Sequence, residues 1–310
     1  MSIVINTPTS NIGRALATRL LDAGEKITVL SRDKKKVDEL LRRGARVVEG
    51  SFEEPALLAE ALEGAEALFW LTPPPARPDY YAWATRCAKQ AAAAAKKAGA
   101  SRAVVVSSMG AHTGPGTGAV GPAREMENDF EAALPAVVSL RPGIFMENFL
   151  LSAEMIAKAG QIFVPIQPGK KWPLVATADI AAKAACWLLD RGWTGHYRVG
   201  VHGPQDLSTD EAATIISSAV GKPVQCINAT LDQARGALTG MGMPDFVVHL
   251  IIEQYVAFRD GRLNPAEPRT PDTTTPTTLA EFARTTLVPA VSCLLISQDI
   301  SNVDDELKLQ

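Results

Sequence analysis

Residues 2–16 read S-I-V-I-N-T-P-T-S-N-I-G-R-A-L, and this stretch decides the fold. Ile3, Val4 and Ile5 make a short apolar run of the kind a strand covered on both faces requires. Ile12, Leu16 and Leu20 then recur at helical spacing, and Gly24 follows as a stop. Between strand and helix, Thr7, Ser10 and Gly13 fall at the three positions of a G-x-x-G-x-x-G turn. In a dinucleotide fold such a turn brings backbone N–H groups and a helix N-terminus close to a pyrophosphate. Only the third glycine is present here. Thr7 is β-branched and precedes Pro8, which pushes it toward extended geometry and away from positive φ. Ser10 is small, and its hydroxyl is expected to hydrogen-bond a phosphate oxygen. Asn11 and Ile12 complete the set of cofactor-facing positions in the turn.

Outward from the turn, short apolar runs recur at 27–31, 45–49, 66–71, 102–107 and 136–140, with the first strand over 2–6. Helical patterns separate them. Val37, Leu40 and Leu41 form a stripe stopped by Gly44, and further patterns span about 55–63 and 79–98. Repeated strand–helix–strand units predict right-handed crossovers and a doubly wound parallel α/β sheet of Rossmann type. Past residue 150 the rhythm loosens. Thr177 or Asp179 is expected to cap a helix running to about Asp190, and 196–201 reads as one more sheet strand. Ser208 and Glu211 make a capping box for a helix ending at Gly221, and Thr278 with Glu281 makes another. Pro244 to Arg259 reads as an apolar-rich helix, and 264–278 as an irregular Pro/Thr-rich connector. The expected division is a Rossmann domain over 1–150, completed by about 175–201. A small α/β substrate lobe spans 151–174 and 202–290, and a tail spans 291–310 with a frayed polar end from Asn302.

The chain has 310 residues, 46% of them hydrophobic, enough for a large core with a smaller lobe. A net charge of −3 with interspersed signs gives no broad basic field for a nucleic acid. Four scattered cysteines, an N-terminus unlike a signal peptide and no membrane-length apolar run place the protein in the cytoplasm, without a membrane partner. The pattern allows a homodimer without specifying one.

Several stretches in order and spacing carry a family resemblance. They are T-P-T-S-N-I-G-R-A-L (7–16), V-L-S-R-D (29–33), V-V-E-G-S-F-E-E-P (47–55) and F-W-L-T-P-P (69–74). They continue with V-V-V-S-S-M-G-A (104–111), L-R-P-G-I-F-M-E-N (140–148) and H-G-P-Q-D-L-S (202–208). The chain resembles the NmrA-like group of atypical short-chain dehydrogenases/reductases over nearly its whole length. The resemblance implies an NAD(P)-binding Rossmann domain with a small substrate lobe. Some members of that group reduce quinones, azo dyes or biosynthetic intermediates, and others are redox-sensing regulators without turnover.

Arg32 sits just beyond the second strand, nineteen residues after Gly13. An acidic residue there selects NAD, whereas an arginine suits the 2′-phosphate of NADP. Arg32 and Lys36 are therefore candidate phosphate contacts, NADP(H) ranks ahead of NAD(H), and the adjacent Asp33 blurs the preference. A solvated helix start is the plainer reading of the same basic run. Ser51 stands where the family often has an aspartate facing the adenine. Thr72 and Pro73 end the fourth strand, where backbone lines the cofactor path.

The Tyr-x-x-x-Lys pair of ordinary short-chain dehydrogenases is missing. Tyr80, Tyr81, Tyr197 and Tyr255 are followed four residues on by Ala84, Thr85, Val201 and Arg259. The family's His-x-x-x-Glu register corresponds here to Glu127 and Glu131. One reading of this pair is mutual repulsion that raises one carboxyl pKa until it donates a proton; the plainer one is a solvated acidic face. Ser107, at a strand end, is placed to hydrogen-bond a substrate carbonyl or to satisfy backbone. His112, in a Gly-rich loop, is the best-placed histidine for proton transfer. Phe145 and Asn148 are candidate substrate contacts, and Glu147 reads equally as structural. Aromatic side chains of the lobe that face the cleft favour a flat ligand. No histidine or cysteine spacing suits a metal. The leading expectation is an NAD(P)H-dependent reductase of a small aromatic or quinone-like molecule. The alternatives are a non-catalytic NAD(P)-sensing regulator and a redox-neutral biosynthetic enzyme that has lost its cofactor.

Overall fold

The computed structural model describes residues 2–74, 77–166 and 169–295. In chain order the first elements are β1 (Ser2–Ile5), α1 (Asn11–Asp22), β2 (Ile27–Ser31), α2 (Asp38–Arg42), β3 (Arg46–Glu49), α3 (Pro55–Leu62) and β4 (Ala65–Leu71). They are followed by α4 (Tyr80–Lys97), β5 (Arg102–Val106), α5 (Ala123–Ala133), β6 (Ala136–Pro142), β7 (Ile144–Phe145), α6 (Ala153–Ala159), β8 (Gln161–Val164), β9 (Trp172–Val175), α7 (Thr177–Leu189) and β10 (Gly195–Val201). Seven strands form one parallel sheet in the order β10-β6-β5-β4-β1-β2-β3. The order reverses between β1 and β4, and sheets of this kind open a ligand crevice at that reversal, beyond the carboxyl ends of the strands.

The five inner strands lack polar alternation because both their faces are covered. Ile3, Ile5, Val29, Phe69, Val104 and Val138 enter one core with α1, α2 and α7. Val4, Leu30, Leu68, Trp70, Val105 and Val137 enter a second core with α3, α4 and α5. Successive residues thus alternate between two apolar layers rather than between core and water.

The small lobe adds β11 (Asp206–Leu207), α8 (Thr209–Val220), β12 (Gln225–Asn228), α9 (Leu231–Gly240), α10 (Asp245–Arg259) and α11 (Leu279–Phe282); α8 and α11 close its own core, while α9 packs on α10, whose C-terminal end joins the second sheet core. The expected capping box is present at α8: Ser208 Oγ accepts from the Glu211 N–H, and Glu211 accepts from the Ser208 N–H. Three features differ from expectation. Neither Thr177 nor Asp179 caps α7; the Thr177 N–H donates to Glu147 at 2.9 Å, while Asp179 accepts from the N–H and hydroxyl of Thr277. A capping box at Thr230 and Gln233 starts α9, which the sequence reading passed over. The helix that begins as α11 continues through Leu295, with Val291 only 1% exposed, so the tail starts later than residue 291. Residues 296–310 lie outside the described residues.

The 264–278 connector is irregular, as expected, but it is bound tightly to the domain. His202 N–H donates to Thr273 O at 2.8 Å and Thr275 N–H returns to His202 O at 2.7 Å. Among the described residues no helix is long and apolar enough to cross a membrane.

Candidate cofactor and active site

The turn after β1 is closed by Ser10. Its Oγ donates to Thr7 O at 2.9 Å and accepts from the Gly13 N–H at 2.9 Å, with the serine backbone extended (φ −71°, ψ 159°). This corrects the expected role of the hydroxyl. Its one proton goes to Thr7, so the side chain builds the turn and has none to give a phosphate. Gly13 is required by packing: a Cβ there would lie 1.9 Å from Thr7 O. No non-glycine residue among those described has positive φ, so the turn makes do without the two absent glycines.

These residues still suit a diphosphate. The Arg14 N–H is used by Ser10 O and the Gly13 N–H by Ser10 Oγ, which leaves the N–H groups of Asn11 and Ile12 without acceptors among the described residues. Thr7 Oγ1 is buried beside them with no partner. The first turn of α1 carries no acidic residue. An anion placed there meets unpaired donors and the positive end of the helix dipole. Asn6, just past β1, binds the sheet across the reversal: its Nδ2 donates to Leu71 O and its Oδ1 accepts from the Leu71 N–H, both at 2.9 Å. Sequence reasoning missed Asn6; a polar amide directly after a buried strand was the available signal.

At the end of β2, Asp33 caps a short 3-10 turn by accepting from the Lys35 N–H at 2.9 Å. Arg32 and Lys36 are exposed and make no ion pair among the described residues. Ser51 Oγ accepts from the Glu53 N–H at 3.2 Å. Thr72 Oγ1 accepts from Trp70 Nε1 at 3.2 Å, and Pro73 is half-buried beside it.

At the end of β5, Ser107 Oγ donates to Glu127 Oε1 at 2.5 Å. Glu127, on α5, is only 1% exposed. Both its oxygens are held by Arg141 on β6, at 2.9 and 2.6 Å, and Arg198 on β10 stands 3.4 Å away. Arg141 also reaches Glu267 of the connector at 2.6 Å, and Glu131 pairs with Arg198 at 2.9 Å. Both expectations for the Glu127–Glu131 pair are corrected here. The face is neither solvated nor left to repel itself, because two arginines from neighbouring strands neutralise it. Burial on its own would lower the Arg141 pKa, but its hydrogen bonds and charge contacts with Glu127 and Glu267 hold it above the ordinary value. Arg141 and Glu267 were invisible as site residues, since one lies inside a strand and the other in a loop 126 residues away.

His112 lies exposed in the loop after β5, its carbonyl accepting from Arg124. Phe145 is half-buried on β7, and Asn148 is exposed on the short helix 146–152. Glu147 is structural, being the acceptor at the start of α7. The structure therefore brings Ser107 and Glu127 into contact and leaves His112 and Asn148 open to solvent. Above the β5 end lies α10: Gly118 N–H donates to Glu253 at 2.9 Å, and a Cβ on Gly118 would lie 2.1 Å from Leu250 O. Among the described residues no group of three or more His, Cys, Asp or Glu side chains is arranged to hold a metal ion.

The model of the NmrA-like family matches residues 1–283. The chain belongs to the NmrA-like family. The NAD(P)H azoreductase of Xenophilus azovorans is 32% identical to this chain over 254 residues, covering 82% of this chain and 86% of the relative. Two solved structures share the NmrA-like architecture seen here. The triphenylmethane reductase of Citrobacter sp., complexed with NADP(H), superimposes with a TM-score of 0.78 at 19% identity, over 94% of this chain and 100% of that one. An NADPH-dependent quinone oxidoreductase of Escherichia coli gives 0.76 at 24%, over 91% and 98%.

Proposed function

We propose that this protein is an NAD(P)H-dependent reductase of a small, flat, aromatic or quinone-like acceptor, with NADPH preferred over NADH. The observation that carries the reading is the pair of unspent N–H groups at Asn11 and Ile12, beside the unpartnered Thr7 hydroxyl, with an unpaired arginine at the end of β2. The names of the relatives supply the reaction class: azo dyes, triphenylmethane dyes and quinones are all conjugated, electron-poor acceptors.

A bound nicotinamide would supply the hydride. Asn11 and Ile12 would hold the diphosphate through their N–H groups, and Arg32 with Lys36 would face the 2′-phosphate. Ser51, Thr72 and Pro73 would border the adenosine and the middle of the cofactor. Ser107 has already given its proton to Glu127, so it presents lone pairs and accepts a hydrogen bond from an amide or hydroxyl in the crevice. It is therefore not the proton donor to a substrate oxygen. A reduced quinone can take its proton from water, or from exposed His112, which suits a site lacking the tyrosine–lysine pair. Phe145 and Asn148 would meet the acceptor from the lobe side. The protein acts in the cytoplasm on a small molecule, without nucleic acid or membrane, and a homodimer is compatible with the fold.

The buried, arginine-bound state of Glu127 favours one second reading, an NAD(P)-sensing regulator, because it ties up the carboxylate at the position expected to supply an acid. Calorimetric titration with NADPH and NADH, followed by turnover of menadione and methyl red, separates the two. Micromolar NADPH binding with oxidation by either acceptor is expected. Tight binding without turnover on a broad acceptor panel gives the regulator, and no binding of either nucleotide ends both readings.

A further inference from the structure

One side-chain cluster at the carboxyl end of the sheet has no part in the reading above. Glu53 Oε2 accepts from Trp83 Nε1 at 2.7 Å and from Arg77 Nη1 at 3.3 Å. Arg77 is itself aimed by Asp79, at 2.5 and 3.2 Å, and its guanidinium lies 5.7 Å from the centre of the Trp83 ring. The turn after β3, the segment leading into α4 and α4 itself therefore meet at one carboxylate oxygen. Three further contacts make the turn rigid. The Glu53 N–H holds the Ser51 hydroxyl, and Phe52 stands edge-on to Trp70 at 5.2 Å and tilted against Trp83 at 6.1 Å.

As a stabilising device this cluster is modest. Glu53 and Arg77 are each 40% exposed, and solvent screens such pairs strongly. Its location is more informative. The turn after β3 belongs to the β1–β2–β3 half of the sheet, which in a dinucleotide fold receives the adenosine half of the ligand. A rigid turn presenting Ser51 there spares the ligand the entropy of ordering it.

We propose that Glu53, fixed by Trp83 and Arg77, is a positioning residue for the adenosine half of NADPH, acting through the 51–54 turn. The proposal rests on the cofactor reading above. Its test compares ligands that contain or lack that half. In Glu53→Ala, affinity for 2′,5′-ADP and for NADPH measured by calorimetry falls about fivefold or more. The KM for reduced nicotinamide mononucleotide, which lacks adenosine, keeps its wild-type value in the same menadione assay. Trp83→Phe retains the packed ring but removes the N–H donor, and it shifts 2′,5′-ADP binding in the same direction by a smaller factor; it also covers the case in which Glu53→Ala does not fold. Wild-type affinity for 2′,5′-ADP in the folded variants overturns the proposal. So does an equal loss for NADPH and the mononucleotide. A wild-type protein that binds neither 2′,5′-ADP nor NADPH ends the cofactor reading itself, and this proposal with it.

Discussion

The hydroxyl of Ser107 lies 2.5 Å from Glu127 Oε1, and the same carboxylate is gripped through both its oxygens by Arg141. The serine at the end of β5 is thereby turned into an acceptor. The carboxylate that controls it is inaccessible to solvent, so this state of Ser107 does not depend on anything binding in the crevice.

Removing one side of that ion pair leaves the other charge buried. Glu127→Ala is expected to destabilise the protein by about 3–5 kcal/mol, because Arg141 keeps its charge in a site where water does not reach. Urea unfolding at neutral pH measures the loss. Glu127→Ala with Arg141→Met and Glu267→Met restores a large part of it, because Glu267 also depends on Arg141 and the whole charged set is then replaced by apolar groups. Equal stability of the single variant and the wild type contradicts the buried pair.

Gly13→Ala is expected to be far more damaging than an ordinary helix substitution, since its methyl would lie 1.9 Å from Thr7 O. Backbone must move, at a cost of about 1–3 kcal/mol or more, and the Asn11 and Ile12 N–H groups move with it. Thermal unfolding and NADPH titration should both register the change. A variant with wild-type stability and affinity would show that α1 does not approach β1 this closely.

Arg32→Ala is expected to weaken NADPH by about tenfold or more while leaving NADH nearly unchanged, the difference being a charge-assisted contact to the 2′-phosphate. Parallel calorimetric titrations provide the measurement. Equal losses for the two nucleotides remove the side chain from the 2′-phosphate.

Acid stability should depend on His202. It is 2% exposed, its Nε2 has no partner, and burial followed by the charge of Arg269 lowers its pKa below the ordinary value near 6.5. Protons then bind the unfolded chain in preference. The stability contribution of this group is complete above the unfolded pKa and is lost as pH falls from there toward the lower folded value, with a slope of at most about 1.4 kcal/mol per pH unit. Urea midpoints between pH 7.5 and 5 trace the effect, and His202→Gln should flatten it. An unchanged slope in that variant assigns the acid sensitivity elsewhere.

The five inner strands of the sheet were legible because each is a short apolar run bounded by turn residues, and only a strand with two covered faces tolerates such a run; the edge strands β3 and β10 carry polar, exposed side chains and gave a weaker signal. The α8 capping box and the stop at Gly24 were legible for the same local reason: the signal lies within four residues of the feature. The capping of α7 was not, since its acceptor, Glu147, is 30 residues away. At the site, Ser10 was read as a phosphate contact because its position suggests one; the competing acceptor, Thr7 O, becomes visible only when the turn is closed.

Local periodicity and turn chemistry by themselves determined the doubly wound sheet, the altered phosphate turn and the position of Arg32, because backbone geometry answers to neighbours along the chain. Tertiary structure alone decided the state of the polar groups in the crevice. Glu127 and Glu131 are one helical turn apart in any folded helix, yet their charge is set by Arg141 and Arg198, which arrive on two other strands. A buried charge takes its character from whatever the fold places within a few ångströms of it, and spacing along the chain does not record that.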